Sequence, residues 1–98
     1  MRIKLFADAE ADLLRGFRFY ESREPGVGDY FLDSLFADID SLYLYAGVHE
    51  KHLGFHRMLA RRFPYAIYYR ADDRTVFVYA VLDMRRSPRV TAGRLSEG

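Results

Sequence analysis

Three apolar segments in the second half of the chain, near residues 55–60, 64–70 and 75–82, have the composition of β-strands. They are rich in Val, Ile, Tyr and Phe and are separated by polar or charged residues, a pattern typical of consecutive antiparallel strands. Pro64 cannot donate a ladder hydrogen bond, so we place it at the beginning of the second strand. Asp72-Asp73 forms the next turn. The pattern therefore predicts a three-stranded meander.

Alternation along these strands assigns their side chains to two faces of the sheet. On the first strand, His56 and Met58 point away from the face that carries Phe55 and Arg57. On the last strand, Val76, Val78, Ala80 and Leu82 form one face, and Phe77, Tyr79, Val81 and Asp83 form the other. Both faces are apolar, so we expect a central strand covered by helices on one side and by the C-terminal segment or a partner on the other.

The first half of the chain begins with residues 2–6, whose alternation predicts a short strand. We expect Asp8 to cap a helix that ends near Glu24, because Pro25 disfavours helical geometry in the residue before it. The apolar face of this helix is Leu13, Phe17 and Tyr20, with Leu14 alongside.

A second helix is predicted from Asp29 to Ala46. Its apolar stripe is Phe31, Leu35, Ile39, Leu42 and Ala46. The short connection makes the two helices an antiparallel hairpin that covers one face of the sheet. Its acidic outer side, Asp29, Asp33 and Asp40, is a solvated helix face or a docking patch for a basic partner. The order predicts an α+β fold, β-α-α-β-β-β, with a small, mainly antiparallel sheet.

Composition narrows the class of protein. A chain of 98 residues is expected to be a single domain, with a polar tail from about residue 90 to residue 98. The absence of cysteine excludes disulfides and thiolate metal sites. No apolar stretch approaches the ~18 residues of a spanning helix, and the N-terminus does not resemble a signal peptide, so we expect a cytoplasmic protein without membrane contacts.

Charge is distributed unevenly along the chain. Residues 1–50 contain five basic and ten acidic residues, a net charge of −5, whereas residues 51–98 contain ten basic and four acidic residues, a net charge of +6. Thirteen of the fifteen basic residues are Arg, which suits bidentate contacts with phosphate or carboxylate. This asymmetry indicates that one side of the surface is acidic and the other basic, which would affect the choice of partner. The alternative is that the charges only keep a small domain soluble.

Three histidines, His49, His52 and His56, lie at spacings of three and four residues, which would suit a metal site on a helix. Gly47 and Gly54 flank this segment and argue against a continuous helix there. We therefore predict a connector over residues 48–53, with no metal and no cofactor.

Four segments together resemble the RelE/ParE family of bacterial toxins. The decisive feature is an Arg-Arg-Phe-Pro-Tyr block followed at a fixed distance by Arg-Arg-x-Pro. The segments are Pro25-Gly26-Val27-Gly28, Arg61-Arg62-Phe63-Pro64-Tyr65-Ala66-Ile67-Tyr68-Tyr69, Ala80-Val81-Leu82-Asp83 and Arg85-Arg86-Ser87-Pro88. The resemblance extends from Phe6 to about Arg89 and implies the microbial-RNase-like fold of that family.

The resemblance implies the toxin of a type II toxin-antitoxin system, associated with plasmid stabilisation. Its partner would be a cognate antitoxin whose flexible C-terminal part wraps the toxin in a hetero-oligomer. RelE-like members resemble ribosome-dependent mRNA endoribonucleases, whereas ParE-like members resemble inhibitors that poison DNA gyrase. The target is therefore either DNA gyrase or the ribosome.

The nuclease members place lysines at the positions of His56 and Met58, arginines at those of Tyr65 and Arg85, and a general acid or base near Thr91. Only Arg85 matches this pattern. His56 is a candidate base and Tyr65 a candidate proton donor. Loss of a single oxyanion-stabilising group typically lowers a rate about a hundredfold or more. The resemblance thus favours ParE-like gyrase poisoning, and the alternative is a nuclease that uses His56, Tyr65 and Arg85.

A third hypothesis is a non-toxic module that only binds an antitoxin. In each case the antitoxin would dock by a helix in the groove of the helical hairpin or by a strand at a sheet edge. The residues expected to contact antitoxin or target are Arg57, Arg61, Arg70, Arg85 and Arg86.

Overall fold

The computed structural model describes residues 1–96, which form one mixed five-stranded sheet with helices on both faces. The strands are β1 (Arg2–Leu5), β2 (Lys51–His52), β3 (Phe55–Leu59), β4 (Tyr65–Ala71) and β5 (Thr75–Asp83). Their spatial order is β1-β5-β4-β3-β2. Strand β1 is parallel to β5, and every other neighbouring pair is antiparallel. The predicted meander and N-terminal strand are confirmed, and the structure adds β2 within the expected connector.

The helices are α1 (Ala7–Arg23), α2 (Val27–Asp40), α3 (Leu42–Tyr45) and α4 (Pro88–Leu95). The predicted α+β class and β-α-α-β-β-β order are confirmed. The prediction of one continuous helix to Ala46 was wrong, because the helix is interrupted at Ser41. The Ser41 hydroxyl donates a 2.6 Å hydrogen bond to the Asp38 carbonyl, which competes with the regular helical pattern. No helix in the described part of the chain is long and apolar enough to cross a membrane.

Helix α1 begins two residues earlier than predicted, at Ala7. Phe6 occupies the N-cap position in an extended conformation, and no side chain caps the helix. The prediction that Asp8 is the cap was therefore wrong. Asp8 and Glu10 instead lie in the first turn, where negative charge is favourable near the positive end of the helix dipole.

The helical hairpin covers one face of the sheet, as predicted, and its close approach depends on a glycine. Gly16 faces the ring of Phe31, and any Cβ at position 16 would collide with that ring. The buried residues of α1 are Ala9, Asp12, Leu13 and Gly16. Of the predicted apolar face, Leu13 is buried and Tyr20 packs partly buried against the core, whereas Leu14 is 45% exposed. The largest fully buried side chains of this core are Tyr69, Phe31, Leu35, Ile39, Leu42, Ile67, Val76, Val78 and Val81.

A β-bulge in β5 changes which side chains face the hairpin. Tyr68 pairs with Ala80 and Tyr69 pairs with Val78, so Tyr79 is an extra residue between them. Val78 and Val81 therefore both pack in the hairpin core, and Ala80 packs on the opposite face. The strict alternation predicted for this strand was wrong beyond Val78.

The second face of the sheet is covered by the C-terminal helix, one of the two covers that the sequence predicted. Leu95 of α4 packs with the buried side chains Phe55, Ala66, Tyr68 and Ala80. The expected polar tail is thus helical as far as Leu95, with Ser87 as the N-cap residue and Pro88 in the first turn. Residues 97 and 98 of that tail lie outside the described residues.

Candidate functional site

A cleft of about 360 Å³ opens where α1, the C-terminal end of β5 and α4 meet. Its lining combines charged and apolar side chains. The lining residues are Asp12, Arg15, Gly16, Phe19, Tyr65, Val81, Leu82, Asp83, Arg86, Val90 and Arg94. We call this feature the arginine cleft.

Asp12 forms the floor of the arginine cleft and is only 4% exposed. Strand β1 pairs with β5 only as far as Val78, so the backbone of β5 has no strand neighbour on this side beyond that residue. One carboxylate oxygen of Asp12 accepts the Val81 N–H at 3.0 Å and thereby replaces the missing strand. Arg94 of α4 donates two hydrogen bonds to the same carboxylate, at 2.7 and 2.9 Å, and Arg15 forms a further ion pair with it.

Arg85 lies beside the cleft and is held by a carboxylate. Its guanidinium donates to Asp83 at 2.9 and 2.8 Å, and to the Tyr20 hydroxyl at 3.3 Å. The Arg85 side chain and backbone hydrogen bonds outweigh partial burial and lower the pKa of Asp83. The charge of Arg85 is therefore neutralised by Asp83, the last residue of β5.

Tyr65 presents its hydroxyl at the inner wall of the cleft. The residue is 7% exposed, and burial, followed by the nearby charge of Asp83, raises its pKa to about 12. Its hydroxyl is consequently protonated at physiological pH and is available as a neutral hydrogen-bond donor. It is poorly suited to accept or release a proton in catalysis.

His49 and His56 lie elsewhere, around Tyr69 at the other end of β4. The Tyr69 hydroxyl accepts the Gly47 N–H at 2.9 Å and contacts His49 Nδ1 at 2.6 Å. His56 stacks on the Tyr69 ring and donates from Nδ1 to the His49 carbonyl at 2.7 Å. Burial, and then the charge of His56, lower the pKa of His49. The histidines thus fasten a loop to the sheet.

The three residues of the nuclease hypothesis are not brought together. Tyr65 pairs with Asp83, close to Arg85, whereas His56 pairs with Tyr69. Four residues of extended strand separate Tyr65 from Tyr69, which corresponds to about 13 Å. A single phosphodiester group cannot contact all three side chains at that separation.

The five arginines expected to bind antitoxin or target divide between separate surfaces. Arg85 and Arg86 lie at the arginine cleft. Arg57 and Arg70 lie on the α4 face, where the guanidinium of Arg70 is 3.9 Å from the centre of the Phe55 ring. Arg61 is exposed, and its backbone N–H is bound by the Asp38 carboxylate at 3.0 Å.

Within residues 1–96, no group of three or more His, Asp or Glu side chains is arranged to hold a metal ion. The nitrogen Nδ1 is engaged in both His49 and His56, as described above, and His52 is exposed at the edge strand β2.

Sequence reasoning did not identify Asp12, Arg15 and Arg94 as site residues. The spacing of Ala9, Asp12, Leu13 and Gly16 places an acidic side chain on the buried face of α1, and this was the available indication. Arg94 had no comparable indication, because its partner Asp12 is 82 residues away in the chain.

Comparisons with known proteins agree with this architecture. Residues 3–88 match the family model for the ParE toxin of the type II toxin-antitoxin system parDE. A search of curated proteins finds no match. Among solved structures, the fold is similar to a chain of the chromosomal ParDE toxin-antitoxin system from P. aeruginosa, with a TM-score of 0.77 and 16% sequence identity over 87% of this chain and 97% of that one. The chain therefore belongs to the ParE toxin family of type II toxin-antitoxin systems.

Proposed function

We propose that this toxin inhibits growth by poisoning DNA gyrase and that a cognate antitoxin neutralises it in a hetero-oligomer. The observation that carries the proposal is the separation of the nuclease candidates within a ParE-family chain. His56 is engaged with the loop at Tyr69, while Tyr65 and Arg85 lie at the opposite end of β4. Family membership implies the antitoxin partner, and gyrase is the target that requires no catalytic residues of the toxin.

Gyrase and the ribosome are both cytoplasmic, and we place the toxin's action there. A role in plasmid stabilisation would follow if the toxin-antitoxin pair is carried on a plasmid. The solved ParDE relative is described as chromosomal, so either genetic location is compatible with the proposal.

Two assays on the isolated chain test the target. We expect the toxin to inhibit DNA supercoiling by gyrase and to leave messenger RNA intact in a ribosome-programmed cleavage assay. Cleavage at the ribosomal A site with normal supercoiling would overturn the proposal in favour of the nuclease. Normal growth during expression, with both assays negative, would leave the non-toxic antitoxin-binding module.

Substitution of Arg85 tests whether the cleft edge contacts the target. We expect Arg85→Ala to abolish growth inhibition while the variant remains folded, because its guanidinium lies at the surface beside the cleft. Arg18→Ala is a matched control, since Arg18 is an exposed arginine on α1. Full toxicity of Arg85→Ala would remove Arg85 from the proposed target surface.

Expression with the neighbouring reading frame tests the antitoxin. We expect an adjacent frame of about 80 residues to encode a protein that co-purifies with this chain and restores growth. A toxin gene without such a neighbour, or a neighbour that does not restore growth, would contradict the proposed pairing.

A further inference from the structure

We infer that the arginine cleft is a receptor for one acidic side chain, flanked by an apolar residue, on a protein partner. The inference rests on the proposed function, because the antitoxin is the partner that would supply this side chain. It assigns the cleft a ligand class, the protein carboxylate, and predicts which side chains bind it.

The charges in the cleft leave a positive excess. Asp83 is neutralised by Arg85. Asp12 is paired with both Arg15 and Arg94, so these three side chains together keep one positive charge. Arg86 also lines the cleft, and its guanidinium has no ion pair within residues 1–96. The charged lining residues alone, Arg15, Arg86, Arg94, Asp12 and Asp83, carry a net charge of +1, which suits one carboxylate.

A neutral donor completes the polar part of the cleft. The pKa of the Tyr65 hydroxyl is raised to about 12, so the hydroxyl is protonated at neutral pH. Burial and nearby charges cause this shift, and no hydrogen bond contributes to it. In the described chain, every fully buried side-chain oxygen or nitrogen has a hydrogen-bond partner. The Tyr65 hydroxyl has no described partner, so it is not fully buried and is accessible from the cleft. It can donate to a carboxylate bound in the cleft, which Arg86 also lines.

The remaining walls are apolar and partly exposed. Phe19 is 39% exposed and Val90 is 45% exposed, at the mouth of the cleft. Leu82 continues this wall further inside. An apolar side chain next to the bound carboxylate would cover these residues, and each buried methylene would stabilise the complex.

The electrostatic surroundings favour a protein carboxylate over nucleic acid. The lining contains three cations, Arg15, Arg86 and Arg94, beside two carboxylates, Asp12 and Asp83. A polyanionic strand needs a row of cations along its backbone. Arg57 and Arg70 lie on β3 and β4, on the side of β5 away from its unpaired edge, and do not extend the cations of the cleft.

The test is an NMR titration of the full chain with short blocked peptides. The probes are acetyl-Leu-Glu-Leu-amide, its Gln counterpart and a single-stranded tetranucleotide, all at low ionic strength. We expect the Glu peptide to shift the amide resonances of residues 15–19 and 81–86, and the Gln peptide to bind at least tenfold more weakly. Equal binding of the two peptides, shifts elsewhere, no shifts, or tighter binding of the tetranucleotide to the same residues would each overturn the inference.

Variants identify the residues that bind the carboxylate. We expect Arg86→Gln to weaken binding of the Glu peptide about tenfold and Tyr65→Phe about threefold, whereas Arg18→Gln leaves it unchanged. An unchanged affinity in Arg86→Gln, with a native amide spectrum, would contradict the assignment. The supercoiling assay separates this inference from the proposed function. Gyrase inhibition without peptide binding would overturn only the inference that the cleft binds a carboxylate. Peptide binding without gyrase inhibition would overturn only the proposal that gyrase is the target.

Discussion

Tyr65 and Tyr69 lie four residues apart on the same face of β4 and use their hydroxyls in opposite ways. Tyr69 is fully buried, and its hydroxyl contacts Gly47 and His49. Tyr65 is almost as buried, but its hydroxyl opens into the arginine cleft. One end of the strand is closed by its own chain, and the other end is left able to receive a partner.

The difference explains why the nuclease hypothesis loses support. A ribonuclease site needs its base, acid and cation around one phosphate. Here the candidate base, His56, lies at the closed end of β4 near Tyr69. The one cation that matches the nuclease pattern, Arg85, lies at the open end near Tyr65. We propose that the two ends differ in role, with structural closure at one and recognition at the other, and mutations at each end test that division.

The largest expected effect on stability is from substitution of Asp12, which forms the floor of the arginine cleft. Asp12→Ala should lower the free energy of unfolding by about 2–3 kcal/mol, because it leaves the Val81 N–H without its acceptor and removes the carboxylate that Arg94 contacts with two hydrogen bonds. Urea denaturation monitored by circular dichroism measures this change. Asp33→Ala, on the exposed side of α2, is the control. A loss below about 1 kcal/mol would show that water replaces the carboxylate and that this floor is not structural.

Removal of each hydroxyl compares the two tyrosines directly. Tyr69→Phe should destabilise the protein by about 1–2 kcal/mol, since the Gly47 N–H and the His49 ring lose a buried partner. Tyr65→Phe should change stability by less than about 0.5 kcal/mol, because its hydroxyl faces the cleft. The two variants are compared by urea unfolding under identical conditions. Equal effects would contradict the distinction between a closed and an open end.

The packing of His49 against Tyr69, at the closed end of β4, should make the stability of the protein sensitive to mild acid. The pKa of His49 is depressed in the folded protein, so its contribution to stability is present above the ordinary histidine value of 6.5 and is lost as pH falls through the folded value. His56 and the Tyr69 hydroxyl are the titratable groups that face it. We expect stability to fall as pH drops below about 6.5, and to fall less in His49→Asn. The exposed His52→Asn variant serves as the control, and an identical decline in all three proteins would refute the role of His49.

The smallest expected effect is the loss of the ion pair at the cleft edge. Arg85→Gln should change stability at pH 7 by less than about 0.5 kcal/mol, because the guanidinium is more than half exposed. The depressed pKa of Asp83 means that the contribution of the pair is present above the ordinary Asp value of 3.8 and disappears as pH falls below it. Thermal unfolding at pH 7 and pH 3 measures both. A large loss at pH 7 would make Arg85 structural and would complicate its use as a probe of toxicity.

Much of the fold could be predicted from local periodicity. The strands of the meander, the helical hairpin and the apolar stripe of Phe31, Leu35 and Ile39 follow directly from repeats of two and of about 3.6 residues. Periodicity could not predict the interruption at Ser41, which depends on a side-chain hydrogen bond, or the extra residue at Tyr79, which depends on pairing with β4.

The candidate site was less predictable than the fold. Arg85 and Arg86 stand out in the sequence, and the structure places them at the cleft. The Asp12–Arg94 pair joins the first helix to the last, and no spacing rule connects residues so far apart. The helical form of residues 88–95 depends on packing of Leu95 against the sheet more than on a strong apolar stripe.

The bulge at Tyr79 determines on which side of the sheet the cleft carries its charge. If the same residues formed a regular ladder without the bulge, Asp83 would project to the α4 face and Arg85 would lose its neighbour at Tyr20. A homologue with one residue fewer here and a regular ladder would keep Asp83 and the arginines that follow it on the same surface. Alignments of such proteins should therefore place a gap at this position before any residue beyond it is compared.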